Sequence, residues 1–363
     1  MKVYIIGSFM NDNFGDYLLY KELHDTITRK FGESVEIISS EVSEFYDQFS
    51  PVIRMPHFKA MKEADFIVFG GGGYFGEGTR KKFLWNLAFV RYYGLKATSI
   101  AMAGKKFIIV GVGAGPFKYF FSRWMTRYIF NRADYISVRD NESKEFLKRI
   151  GVKKDVEMHP DWILGMDVKD VIATAKLSEK VKEVCQKEYL LVHLISKYTD
   201  NDAGLGLVTK EILAYCKNKD VKVVVTCDQT KEDVYLRTKE LSRRFGDSLL
   251  FYYEYKSPYE LISLIGSAKM IITDKLHVGI VGVAAGTNVV SVPLHSKTPR
   301  LYKQIGRSDY CKPIKDVAQG DIYKLLDKAY NNIPSDMSTI CEASRYNREI
   351  VISKIDALIS DCN

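Results

Sequence analysis

The sequence predicts an α/β protein built as two parallel-sheet domains, and three observations carry the prediction. The chain has 363 residues, enough for two independent cores at roughly 100 to 200 residues per domain. Short apolar, β-branched runs recur along it, discharge into Gly-rich or polar loops and lead into amphipathic segments. That is the grammar of parallel strands whose carboxyl-end loops collect ligands. The grammar lapses in the Lys/Glu/Ala-rich stretch from Val168 to Glu183 and then restarts. The expected division is therefore 1–170, 185–345 and a terminal helix at 346–363.

In chain order, Val3 to Ile6 reads as the first strand, Gly7 to Asp16 as a turn, and Tyr17 onward as a helix. Phe66 to Phe69 runs into the glycines at 70–73, and Phe107 to Val110 into a loop from Gly111 to Pro116. Tyr135 to Val138 ends at Arg139 and Asp140, with Asp140 and Ser143 placed to cap the helix that follows. Tyr189 to Leu194, Val221 to Thr226, Leu249 to Tyr253, Met270 to Thr273 and Val289 to Val292 supply the second domain. The uncharged stretch between Lys275 and Lys297 is long enough to span a bilayer, but its Gly, Asn, Ser and Pro content reads as a buried helix, a Gly286 cap and a buried strand. Apolar residues at Ile350, Val351, Ile355 and Leu358 predict the final helix, which would cross the domain interface.

Hydrophobic residues make up 46% and charged residues 27% of the chain, which excludes disordered, collagen-like and coiled-coil classes. The balance of 53 Lys and Arg against 45 Asp and Glu gives +8, too dilute to mark a nucleic-acid binder. Six scattered cysteines show no metal-ligand spacing and read as thiols. The first residues match neither a signal peptide nor an anchor, so the expected location is cytoplasmic.

Two strand ends concentrate cationic and titrating groups. Lys275 and His277 follow Met270 to Thr273 at a helix start, where main-chain amides already favour an anion. His295 and Lys297 follow the next strand, and neighbouring parallel strands present such ends on one edge. A core-bonded His277 and a solvated Lys275 remain the plainer alternative. Arg139 offers a planar fork for a carboxylate or phosphate, or a structural contact. The turn containing Asn13 and Asp16 exposes amides, and the glycines around Gly72 suit close backbone approach or a tight packing turn. Neither a dinucleotide fingerprint nor a GxxxxGK[ST] loop is present. The segment from Phe117 to Arg132 mixes Lys118, Arg123, Arg127 and Arg132 with aromatics, which suits an anionic membrane surface or an ordinary packed helix with a basic side.

Taken in order, the Asn13 to Asp16 turn, the glycines after Asp65 to Val68, the Gly111 to Pro116 loop, Ser137-Val138-Arg139-Asp140 with Ser143, the Lys275-Leu276-His277 element, the Ala-Ala-Gly-Thr turn and the Pro-x-His-x-Lys exit resemble the polysaccharide pyruvyl transferase family. The resemblance covers roughly residues 1 to 310. It implies a GT-B-like pair of Rossmann-like domains facing a cleft, phosphoenolpyruvate as donor, and a glycan or lipid-linked oligosaccharide acceptor receiving pyruvate as a ketal. It places the family's functional Arg, His and Lys on Arg139, His277 and Lys297. Lys275 stands where the family usually has Arg, and His159-Pro160 with Asp161 replaces the usual Asp-Pro. On this reading Arg139, Lys275, Lys297, His295, Asn13 and Gly72 bind substrate, His277 is the general acid/base and Asp16 acts on the acceptor side. The scheme requires neither metal nor cofactor. It places the protein in the cytoplasm, with peripheral contact at the inner face of the plasma membrane through 117–132. Nucleotide-sugar glycosyl transfer on the same fold is the alternative, and a member that only binds a glycan or anion is a third.

Overall fold

The structure, a computed structural model, describes residues 1–77, 82–195, 203–294, 297–334 and 336–360. It divides into two compact units: Met1–Asp12, Asp16–Trp162 and Glu342–Asn363 form one, and Asn13–Gly15 with Ile163–Cys341 form the other.

The first unit is built on one parallel sheet of eight strands: β1 (Lys2–Ile6), β2 (Glu36–Ser39), β3 (Ile53–Arg54), β4 (Phe66–Phe69), β5 (Gly72–Phe75), β6 (Phe107–Ala114), β7 (Tyr135–Val138) and β8 (Glu157–Met158). Their order is β3-β2-β1-β4-β6-β7-β8, with β5 added on β6. β1, β4 and β7 are almost wholly buried apolar runs, as strands covered on both faces must be. Two segments that read as loops are strand. The glycines at 72 and 73 open β5, and β6 continues through Gly111 to Ala114, because Gly72 and Phe75 pair with Val112 and Ala114 past an irregularity in the register. Gly72 has φ +127°, a backbone conformation that a side chain disfavours. Phe75, Phe89, Phe117 and Phe130 pack ring against ring in the core of this unit.

The second unit carries β9 (Leu190–His193), β10 (Val223–Thr226), β11 (Leu249–Tyr253), β12 (Met270–Thr273) and β13 (Asn288–Ser291), all parallel, in the order β11-β10-β9-β12-β13. The uncharged stretch after Lys275 forms the helix Leu276–Ala284, a turn at Gly286 with φ +77°, and β13. Among the described residues no helix is long and apolar enough to cross a membrane.

The chain changes unit at Trp162 and Ile163, ahead of the Val168 to Glu183 stretch where strand signals lapse; helices Val168–Thr174 and Glu179–Cys185 occupy that stretch within the second unit. The last helix, Ser338–Ser360, begins in the second unit and from Glu342 belongs to the first. There Ser344 donates to the Asp161 carbonyl at 2.8 Å, and Arg348 pairs with Glu22 at 2.7 Å.

Candidate functional site

In the second unit the strand order reverses between β9 and β12, and the crevice outside the carboxyl ends at such a switch is where open α/β sheets take ligands. His193 ends β9 there with no exposed surface. Its Nδ1 lies 3.2 Å from the Thr273 hydroxyl and 3.9 Å from Asp274 Oδ1, and its Nε2 lies 4.0 Å from Asp228 Oδ1. Both carboxylate separations exceed hydrogen-bond range. His193 Nε2 and Asp228 Oδ1 are buried with no hydrogen-bond partner among the described residues. Burial pushes the imidazole pKa down, Asp228 and Asp274 pull it the other way, and Lys275 adds to the depression.

Asp274 is tied back to β9 by its N–H, which donates to the His193 carbonyl at 3.2 Å, and the Lys275 N–H donates to the Thr273 hydroxyl at 3.0 Å. These bonds aim the chain into the helix Leu276–Ala284, whose Val278, Ile280, Val281 and Val283 are buried. Its first turn, with Lys275 at the cap position, brings main-chain amides and a cation together, a combination suited to an anion.

The segment Asn13–Gly15 seats on this same edge. Phe14 N–H donates to the Asp228 carbonyl at 3.0 Å, the Phe14 ring meets Tyr255 edge-on at 6.1 Å, and Asn13 Oδ1 accepts from Gly15 N–H at 3.1 Å. A Cβ on Gly15 would fall 1.7 Å from His277 Nδ1. The turn and the imidazole therefore fit only because residue 15 has no side chain. Asn13, Lys275 and His277 thus gather around one strand edge. Lys297 opens the helix Lys297–Gln304 after β13, which is β12's neighbour. His295 lies outside the described residues.

The remaining candidates sit in the first unit. Arg139 follows β7, is 7% exposed, and donates through Nη1 to Asp161 Oδ2 at 3.2 Å. Its ion-pair partner is therefore Asp161, while Asp140 caps the helix Asn141–Arg149 by accepting from Ser143 N–H at 2.7 Å. Asp16 is half-buried in the first turn of the helix Phe14–Phe31, and its charge is felt at Tyr93, whose hydroxyl pKa burial raises to about 12. Gly72 opens β5, where a Cβ would meet the Tyr74 ring at 3.2 Å.

Three polar groups at strand ends escaped the sequence reading. His193 and Asp228 sit at or just beyond the runs Tyr189 to Leu194 and Val221 to Thr226, and the strand-end rule that selects Lys275 would have selected them. Glu41, just past β2, is 2% exposed, accepts from Gly7 N–H at 3.0 Å and pairs with Lys96. Burial raises the Glu41 carboxyl pKa against the pull of Lys96. Nearby, His57 bonds Tyr4 through Nδ1 at 3.1 Å and Ser99 through Nε2 at 3.0 Å. Burial, with help from Lys96, lowers its pKa to about 4.

The two parallel-sheet α/β units make the fold GT-B-like. The chain matches the model of the polysaccharide pyruvyl transferase family over residues 13–296, and it belongs to that family. Its fold is shared with UDP-GlcNAc 2-epimerase of Methanocaldococcus jannaschii (13% identity, TM-score 0.67, covering 97% of this chain and 100% of that one). It is shared also with Staphylococcus aureus MnaA solved with UDP (9%, 0.64, 99% and 96%). A glycosyltransferase of Rickettsia africae is a third such structure (13%, 0.58, 99% and 96%). At these identities the likeness is one of fold.

Proposed function

We propose that this protein moves pyruvate from phosphoenolpyruvate onto a sugar of a cell-surface polysaccharide, or of its lipid-linked precursor, as a ketal. The observation that carries the reading is the grouping of Lys275, His277 and the first-turn amides of Leu276–Ala284 at the β9/β12 switch point, in a chain of this family. Phosphoenolpyruvate carries a carboxylate and a phosphate, and a helix start with cations answers both.

In this scheme His277 delivers a proton to the methylene carbon of the enol, and a sugar hydroxyl adds at C2 as its own proton is taken up. A second hydroxyl then replaces phosphate at C2, so that one acceptor proton ends in the new methyl group and the other on the departing phosphate. Lys275 and Lys297 neutralise the donor's anionic groups, with His295, Asn13 and Gly72 as further binding positions. Arg139 is a further substrate-binding cation, with one of its N–H groups already committed to Asp161. Asp16 works on the acceptor hydroxyls. The unit 1–170 is the acceptor side and 185–345 the donor side.

Incubation with phosphoenolpyruvate and a panel of galactose- and mannose-type acceptors, read by mass spectrometry, tests this. A product heavier by a pyruvate ketal, with phosphate released and both lost in His277→Ala, is the expected result. Thermal stabilisation by UDP- or GDP-sugars and not by phosphoenolpyruvate would instead place the chain among nucleotide-sugar transferases.

A further inference from the structure

Between Glu77 and Asp134 the sequence holds eleven Lys and Arg and no Asp or Glu. The remainder of the chain is slightly acidic, with 42 basic against 45 acidic residues, so this one stretch carries the whole positive balance of the protein.

The same stretch holds ten of the eighteen large apolar side chains that are exposed among the described residues. They are not scattered. The helices Lys82–Phe89, Leu95–Met102 and Phe120–Phe130 all drive their inner faces into one core, through Phe89, Ala97, Ile100, Met125, Ile129 and Phe130. Their outer faces are therefore neighbours in one layer, and Phe83 and Tyr119 meet across it at 5.8 Å. On that layer Phe83 is 62% exposed, Trp85 51%, Phe120 72% and Phe121 52%. Phe121, Trp124 and Tyr128 form a stacked ladder, and the Arg132 guanidinium lies 3.6 Å over the Tyr128 ring. Arg91, Lys118, Arg123 and Arg127 are exposed among them.

We infer that this face docks the protein onto an anionic lipid bilayer. Rings and aliphatic side chains enter the headgroup boundary, while arginines and lysines meet lipid phosphates. An exposed face that gathers this many large apolar side chains marks an interaction surface. A nucleic-acid groove would use cations and flat rings, but it has no use for exposed Leu84, Leu87, Leu95 and Met102. The inference rests on surface chemistry and stands whether or not the donor is phosphoenolpyruvate.

Flotation of the full chain with phosphatidylglycerol/phosphatidylcholine vesicles, and with phosphatidylcholine vesicles alone, tests it. The chain should float with the anionic vesicles, less so as salt rises, and should not float with the neutral ones. An Arg123→Ala/Arg127→Ala variant should partition roughly 10- to 30-fold more weakly. A Phe121→Ser/Trp124→Ser variant should also lose binding, with the thermal transition of both variants unchanged. Equal partitioning on the two lipids, or wild-type partitioning by the variants, would overturn the proposal. So would a stable dimer in solution that the apolar substitutions dissolve, because the face would then belong to a second copy.

Discussion

The backbone of Gly15 lies so close to the His277 imidazole that a methyl group on residue 15 would fall 1.7 Å from Nδ1. Gly15→Ala must therefore push the imidazole away or lift the Asn13–Gly15 turn off the Asp228 carbonyl. Displacement of a reacting group by about 1 Å costs on the order of 100-fold in rate. On the proposed reading, ketal formation by the variant should fall by at least about that factor, while overpacking lowers stability by only about 1–3 kcal/mol. Parallel measurement of kcat/KM and thermal unfolding checks both; wild-type turnover would show that the Gly15 contact does not hold His277 in a working position.

The Arg139–Asp161 pair is buried on both sides. Asp161→Ala leaves a guanidinium without its carboxylate and should cost about 3–5 kcal/mol, whereas an Arg139→Met/Asp161→Leu replacement should recover most of that loss. Urea denaturation of the two variants decides whether the pair matters through its charge balance. If Arg139 binds substrate as proposed, substrate affinity should fall in the double variant even where stability returns.

His57 is held neutral in the fold, its pKa lowered to about 4 by burial and Lys96. The unfolded chain takes up that proton near pH 6.5. Its contribution to stability is therefore complete above about pH 6.5 and is lost as pH falls toward 4. The lowered His193 pKa has the same sign. Glu41, with its pKa raised, has the opposite one, contributing at low pH and losing that contribution as pH rises. Stability measured from pH 7 to 4 on the wild type and on His57→Gln should differ in slope within that window; parallel curves would contradict the assignment.

His193 faces Asp228 and Asp274 with no exposed surface, and its main-chain carbonyl anchors Asp274. His193→Leu keeps an apolar filling but removes the polar ring between two carboxylates, at a cost of about 1–3 kcal/mol. If His193 positions the Lys275–His277 turn, kcat should drop and its pH profile should shift, with partial rescue by His193→Gln. A variant that loses stability alone, with an unmoved profile, would show that the ring only fills the core.

The strands and the cationic strand ends were legible because they depend on local pattern. Met270 to Thr273 is an unbroken apolar run ending at Asp274, Lys275 and His277, and the helix Leu276–Ala284 and strand Asn288–Ser291 follow from the same stretch. β2 and β5 were harder to see. β2 is a four-residue strand that begins at an exposed Glu36, and β5 begins with two glycines, so neither carries a strong strand signature.

By itself the sequence determined the α/β class, most strands of both sheets and the positions of Lys275, His277 and Lys297, since hydrophobic period and turn chemistry act over a few residues. Tertiary structure decided who meets whom. That Arg139 pairs with Asp161, that His193 lies between Asp228 and Asp274, and that Asn13–Gly15 seats beside His277 depend on sheet order and long-range packing. The excess charge has the same dual origin: its concentration between Glu77 and Asp134 is written in the residues. Its assembly with exposed rings on one face requires the continuous helical run 82–102 and the helix Phe120–Phe130 to turn their apolar sides into a common core.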